Sequence, residues 1–151
     1  MNTEEAMPDE TEICKALPQV ALDFMNTVHC EEVLLVQCLL QALESNLENA
    51  KIDSLLNEWV AHTVAHFARE ERLMEEYRFP PFGIHQHEHE LAMEALLGAQ
   101  SNWLTIRDGS ALEAYIEHDW RTWLNQHIST MDMVTARFLA QFDIQVDLDL
   151  D

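Results

Sequence analysis

The chain has 151 residues, 48% of them apolar, which suits one folded domain rather than a disordered segment. Its 28 acidic residues against 8 basic ones give a formal net charge of −20. That balance repels nucleic-acid backbones and anionic membrane surfaces and favours solubility.

Residues 1–16 read as an acidic, flexible lead with no charged-then-apolar leader pattern. No apolar run approaches the ~20 residues of a membrane span, and the chain reads as cytoplasmic. The three cysteines, Cys14, Cys30 and Cys38, have no CxxC spacing and are odd in number. Reduced thiols are expected rather than a disulfide, with Cys30 packed inertly.

Residues 17–141 carry apolar positions at helical spacing. The first stripe runs Met25, His29, Val33, Val36, Leu40, Leu43 and Leu47, with Asn46 and Asn49 at its end. The second runs Leu55, Trp59, His62, His66, Glu70, Leu73 and Tyr77. It stops at Phe79-Pro80-Pro81-Phe82-Gly83, which cannot continue a helix. The third takes His85, His89, Ala92 and Leu96, and ends near Arg107-Asp108-Gly109. The fourth opens with a capping-box spacing, Ser110 to Glu113, and runs through Ile116, Trp120, Trp123, His127 and Val134. Four long amphipathic helices with short connections predict an all-α, antiparallel up-down-up-down four-helix bundle. Residues 142–151 alternate apolar and acidic with period two, a strand-like tail. It is either a terminus, a segment docked on the bundle, or the start of a linker.

His29, His66, His85 and His127 fall on the inward stripes of four different helices. One buried histidine is usually a hydrogen-bonded core residue, but burying several costs several kcal/mol unless each is paired. The pairs His66/Glu70 and His85/His89 are four residues apart, so both members of each reach one centre on a helix face. With Asp132, five imidazoles and two carboxylates converge. A structural zinc takes four ligands and calcium wants oxygen, so the set suits a metal pair. Imidazole with carboxylate fits iron, and also zinc, copper or nickel. If both carboxylates and an oxo or hydroxo group bridge two octahedral ions, six terminal positions remain. Five histidines fill all but one, leaving room for a small diatomic ligand.

His127 and Asp132 are five residues apart, about 140° on a regular helix. A π-type turn between them is therefore expected, with the stripe continuing through Asp132, Ala136 and Leu139. His62 reads as a core histidine with a hydrogen-bond partner. His87 and His118 should face away.

The segment His66-Phe67-Ala68-Arg69-Glu70-Glu71-Arg72-Leu73-Met74 resembles the hemerythrin signature. A proline-containing turn and His85-x-x-x-His89 follow it, as in that family. Trp123-Leu124-Asn125-Gln126-His127-Ile128-Ser129-Thr130-Met131-Asp132 resembles the family's last motif, and the resemblance covers roughly residues 20–140. It implies a non-haem di-iron core that binds O2. His85, His89 and His127 would bind one iron, His29 and His66 the other, and Glu70 and Asp132 would bridge them. Trp123 and Leu124 match residues that wall the family's O2 pocket. The Asp and Gln that usually precede the first histidine are Asn26 and Val28 here, which weakens the expected support of His29.

The implied function is reversible O2 binding, as a carrier or store or as the O2- or redox-sensing input of a signalling protein. A downstream signalling domain or a dimer partner would suit the second role. The chain itself is not expected to be an enzyme. The alternative is a di-iron oxidase or peroxidase, or an iron- or nitric-oxide-handling protein. Ferritin-like oxidase sites carry about four carboxylates and two histidines, the reverse of the ratio here.

Overall fold

The structure is a computed structural model and describes residues 9–150. Asp9 caps a short helix, α1 (Glu10–Lys15), by accepting from the Glu12 amide at 2.8 Å. Three long helices follow: α2 (Asp23–Glu44), α3 (Asn49–Glu76) and α4 (Phe82–Ile106). The fourth arm of the bundle is one continuous helical rod. It runs α5 (Gly109–Ala114), a π segment π1 (Tyr115–Trp120), α6 (Arg121–His127), a second π segment π2 (Ile128–Asp132) and α7 (Met133–Leu139). α2 packs on α3, α3 on α4, α4 on α5, and α5 returns to α2, which closes the antiparallel bundle.

The turns use left-handed residues where the sequence offers no glycine. Asn46 (φ 51°) ends α2 while the Leu47 amide reaches back to the Ala42 carbonyl. Arg78 (φ 55°) does the same for α3, with Phe79 bonding to Met74. Both closures satisfy carbonyls that a helix end leaves open. Arg107 (φ 57°) ends α4, and its guanidinium shares Asp53 with the Trp103 indole, pinning this end to the start of α3. The cap of the fourth arm is Asp108, which accepts from the Ser110 and Ala111 amides, and not the expected Ser110. An aspartate two residues earlier reaches the free amides first.

The core has two apolar ends. One contains Leu39, Leu43, Ile52, Leu56, Trp59, Leu96, Trp103, Leu112 and Ile116. At the opposite end of the same four arms, Met25, Leu73, Met74, Phe79, Ala136 and Leu139 are buried. The histidines and their carboxylates lie between these plugs.

Two expectations about the termini change. Residues 10–15 of the lead are helical, and Cys14 of α1 is disulfide-bonded to Cys30 of α2, with Cα atoms 5.0 Å apart. Folding brings together two thiols that lie 16 residues apart, which counting and spacing cannot reveal; Cys38 alone is free and exposed. Residues 1–8 lie outside the described residues. Among the described residues of the tail, 142–150, there is no strand. Phe142 packs its ring on Tyr77 and Phe138, Gln145 to Asp149 pass beside Thr27 and Glu31 of α2, and Leu148–Leu150 make a 3-10 turn. Among the described residues, no helix is long and apolar enough to cross a membrane.

Candidate metal centre

All seven sequence-predicted residues meet in the core, each no more than 3% exposed. Glu70, His85, His89, His127 and Asp132 offer ligand atoms that all lie within 4.8 Å of one another, as do those of His29, His66 and Glu70. Glu70 belongs to both groups. Asp132 links them too, with Oδ2 at 3.0 Å from His29 Nε2 and Oδ1 at 3.2 Å from both His85 Nε2 and His127 Nε2. Glu70 Oε2 is 2.5 Å from His66 Nε2, and its Oε1 is 3.5 Å from His89 Nε2 and 3.6 Å from His85 Nε2. His85 Nε2 and His127 Nε2 stand 3.1 Å apart.

Local structure aims these atoms. The i,i+4 spacing does so for Glu70 with His66 on α3, and for His85 with His89 on α4. On the fourth arm the five-residue step from His127 to Asp132 is absorbed by π2, as the spacing predicts. The stripe then continues through Thr135, Ala136 and Leu139, all buried, while Val134 is 48% exposed.

Most of the rings are also held from behind. Thr135 Oγ1 lies 2.7 Å from His85 Nδ1, and Glu88 is 3.0 Å from His127 Nδ1. Glu71 is 3.4 Å from His89 Nδ1, and Glu32 Oε1 is 3.5 Å from His66 Nδ1. Such partners fix ring orientation and raise ligand basicity. His66 Nδ1 makes no hydrogen bond at that separation from Glu32, and His29 Nδ1 is likewise buried with no hydrogen-bond partner. Asn26, where the family usually has Asp, instead pairs with the Val20 backbone in both directions.

The sequence reading missed these four partners. Glu71 and Glu88 sit beside predicted ligands, and Thr135 lies two turns past His127. Glu32 carries the clearest signal, a carboxylate on the apolar stripe one turn after His29. It is 2% exposed and accepts from the indole N–H groups of Trp59 (3.5 Å) and Trp120 (3.0 Å).

The electrostatics keep the carboxylates ionised. Burial pushes the Asp132 pKa up, but the adjacent imidazoles of His127, His29 and His85 hold it well below the usual range. Burial and the Asp132 charge raise that of Glu70, and His66 and His89 bring it down to about 2. Burial lowers the His66 pKa, which the charges of Glu70 and Glu32 lift to about 10. Burial pushes His89 down, and Asp132 lifts His127 to about 8 against the same effect.

The seven residues fit a metal pair by one further test. Both His29 ring nitrogens, His89 Nε2, Glu70 Oε1 and both Asp132 oxygens are buried without hydrogen-bond partners. Native cores rarely leave so many polar atoms unsatisfied in one place. Bound cations would satisfy them together.

Trp123 stacks on His127 with ring centroids 4.5 Å apart, and Leu124 is buried in the apolar cluster with Val33 and Trp120. His62 is half-buried and meets Glu31 at 3.2 Å, outside both ligand groups. His87 and His118 are exposed, as expected.

The family model described as the Hemerythrin HHE cation binding domain matches residues 20–139. The chain is 28% identical over 117 residues to a bacteriohemerythrin of Aquifex aeolicus (strain VF5), covering 78% of this chain and 88% of that protein. It is 30% identical over 105 residues to a bacteriohemerythrin of Ralstonia nicotianae, covering 69% of this chain and 74% of that one. No solved structure matches the chain.

Proposed function

The chain belongs to the hemerythrin family, and from that premise we propose that it binds O2 reversibly at two iron ions held in the bundle core. The role is that of a carrier or store, or of the input of an O2 or redox sensor. His85, His89 and His127 would hold one ion and His29 and His66 the other, with Glu70 and Asp132 shared between them. The observation that carries this reading is the buried cluster of unsatisfied nitrogens and carboxylate oxygens, drawn from all four arms. When bound, the iron pair supplies the electrons and the open position that O2 requires.

The protein's own residues orient and exclude. Thr135, Glu88, Glu71 and Glu32 stand behind four of the imidazoles. Phe67 stacks on His89 at 3.9 Å and Trp123 on His127, so aromatic faces cover two ligands and keep water off them. Five imidazoles with only two carboxylates favour reversible binding over oxidase chemistry, for which oxygen-rich sites are better suited.

Metal analysis of the purified protein tests the cofactor directly. About two irons per chain are expected, from five imidazoles and two bridging carboxylates. A single tightly held zinc with no iron would overturn the proposal.

A further inference from the structure

Beside the metal centre, α3, α4 and the fourth arm enclose a cavity of about 400 Å³, within the range of small-molecule sites. Its walls are aromatic: Phe67, Tyr115, Trp120 and Trp123 all line it. Three acidic residues, Glu32, Glu88 and Asp119, also line it, the Glu32 carboxylate reaching Trp59, Trp120 and His66 and that of Glu88 reaching His127, and no Lys, Arg or His does. Glu32 is buried, Glu88 half-buried and Asp119 exposed, so acid is present from depth to surface.

We propose that this cavity binds a small organic ammonium ion with an apolar body. Aromatic faces attract cations electrostatically, and more strongly where water is excluded. The apolar walls take up the body of such a molecule and the carboxylates select its charge. The phenol of Tyr115 senses the same field: burial, then the charges of Glu32 and Asp119, push its pKa well above the usual range. An anion would meet those carboxylates and a strongly acidic protein. A neutral isostere would gain the apolar contacts alone. The cavity touches the metal ligands indirectly, through Phe67 on His89, Trp123 and Glu88 on His127 and Glu32 on His66. Its occupancy is therefore a separate question from O2 binding.

Calorimetry on the full iron-loaded chain near neutral pH, with three probes of one shape, decides it. 2-Phenylethylammonium should bind at one site per chain with a submillimolar constant. 2-Phenylethanol should bind at least about tenfold more weakly, and phenylacetate should give no detectable heat. Ala92→Phe, which fills the cavity from α4, should remove ammonium binding while leaving iron content unchanged. Should that variant fail to fold, Asp119→Lys at the exposed rim carries the test and should weaken ammonium binding by about tenfold. Equal binding of ammonium and alcohol, no binding of the ammonium, or ammonium binding untouched by Ala92→Phe or by Asp119→Lys would each overturn the proposal.

Discussion

His66 is approached from both of its ring nitrogens, Nε2 by Glu70 and Nδ1 by Glu32. That arrangement separates ligand from support and makes both testable. His66→Ala or Glu70→Ala each removes a proposed ligand, so stable loading of two irons should be lost. His87→Ala and His118→Ala lie on exposed faces and should load normally, as read by metal analysis after desalting. Equal damage from the two pairs would contradict the assignment of faces. Glu32→Gln retains an oxygen for the indole donors but loses the charge facing His66. It should weaken iron retention by roughly 10–100-fold in competition with a chelator, the usual effect of losing a ligand's supporting group. Parental retention in Glu32→Gln would show that the carboxylate only fills space between Trp59 and Trp120. At this scale the proposed ligands were legible because the i,i+4 pairs and the family motif name them. Their supports were not, because a carboxylate 27 residues from Trp59 and 88 from Trp120 becomes their partner only in the folded bundle.

The fourth arm shows what spacing can and cannot tell about an element. The five-residue step from His127 to Asp132 required a wider turn, and π2 supplies it. π1 went unpredicted, although Leu112, Ile116, Trp120, Leu124 and Ile128 are all buried at steps of four. On a regular helix each such step drifts about 40°, so an unbroken series cannot stay on one face. That drift was the available signal. A π turn amounts to one extra residue in an α-helix, which gives a deletion test. Removing the exposed Ser129 from π2 should restore regular helix, place the two ligands at i,i+4 and cost no more than about 1 kcal/mol in urea unfolding. Removing the exposed Ala68 from regular α3 should instead rotate everything beyond it by about 100° and abolish iron loading. Collapse of the Ser129 deletion with loss of iron would show that π2 does more than set register. The Cys14–Cys30 bridge was illegible for a different reason. It depends on α1 returning beside α2, and six residues of helix carry too little periodicity to place that element.

Across the whole molecule, the bundle places a polar layer between two apolar ends, and that layout follows from hydrophobic patterning together with the order of the arms. Composition contributed what it excludes: a net charge of −20 suits neither nucleic acid nor an anionic membrane. It also framed the acidic cavity, although no stripe shows which carboxylates will share one space. The central claim is that the core holds two irons that take up O2 and release it. The most direct test follows the optical absorption of the reduced, iron-loaded protein through repeated cycles of O2 exposure and removal under vacuum. The account predicts a visible band that appears with O2, disappears on its removal and returns in the next cycle. Irreversible oxidation at the first exposure, with no return of the reduced spectrum, would contradict it.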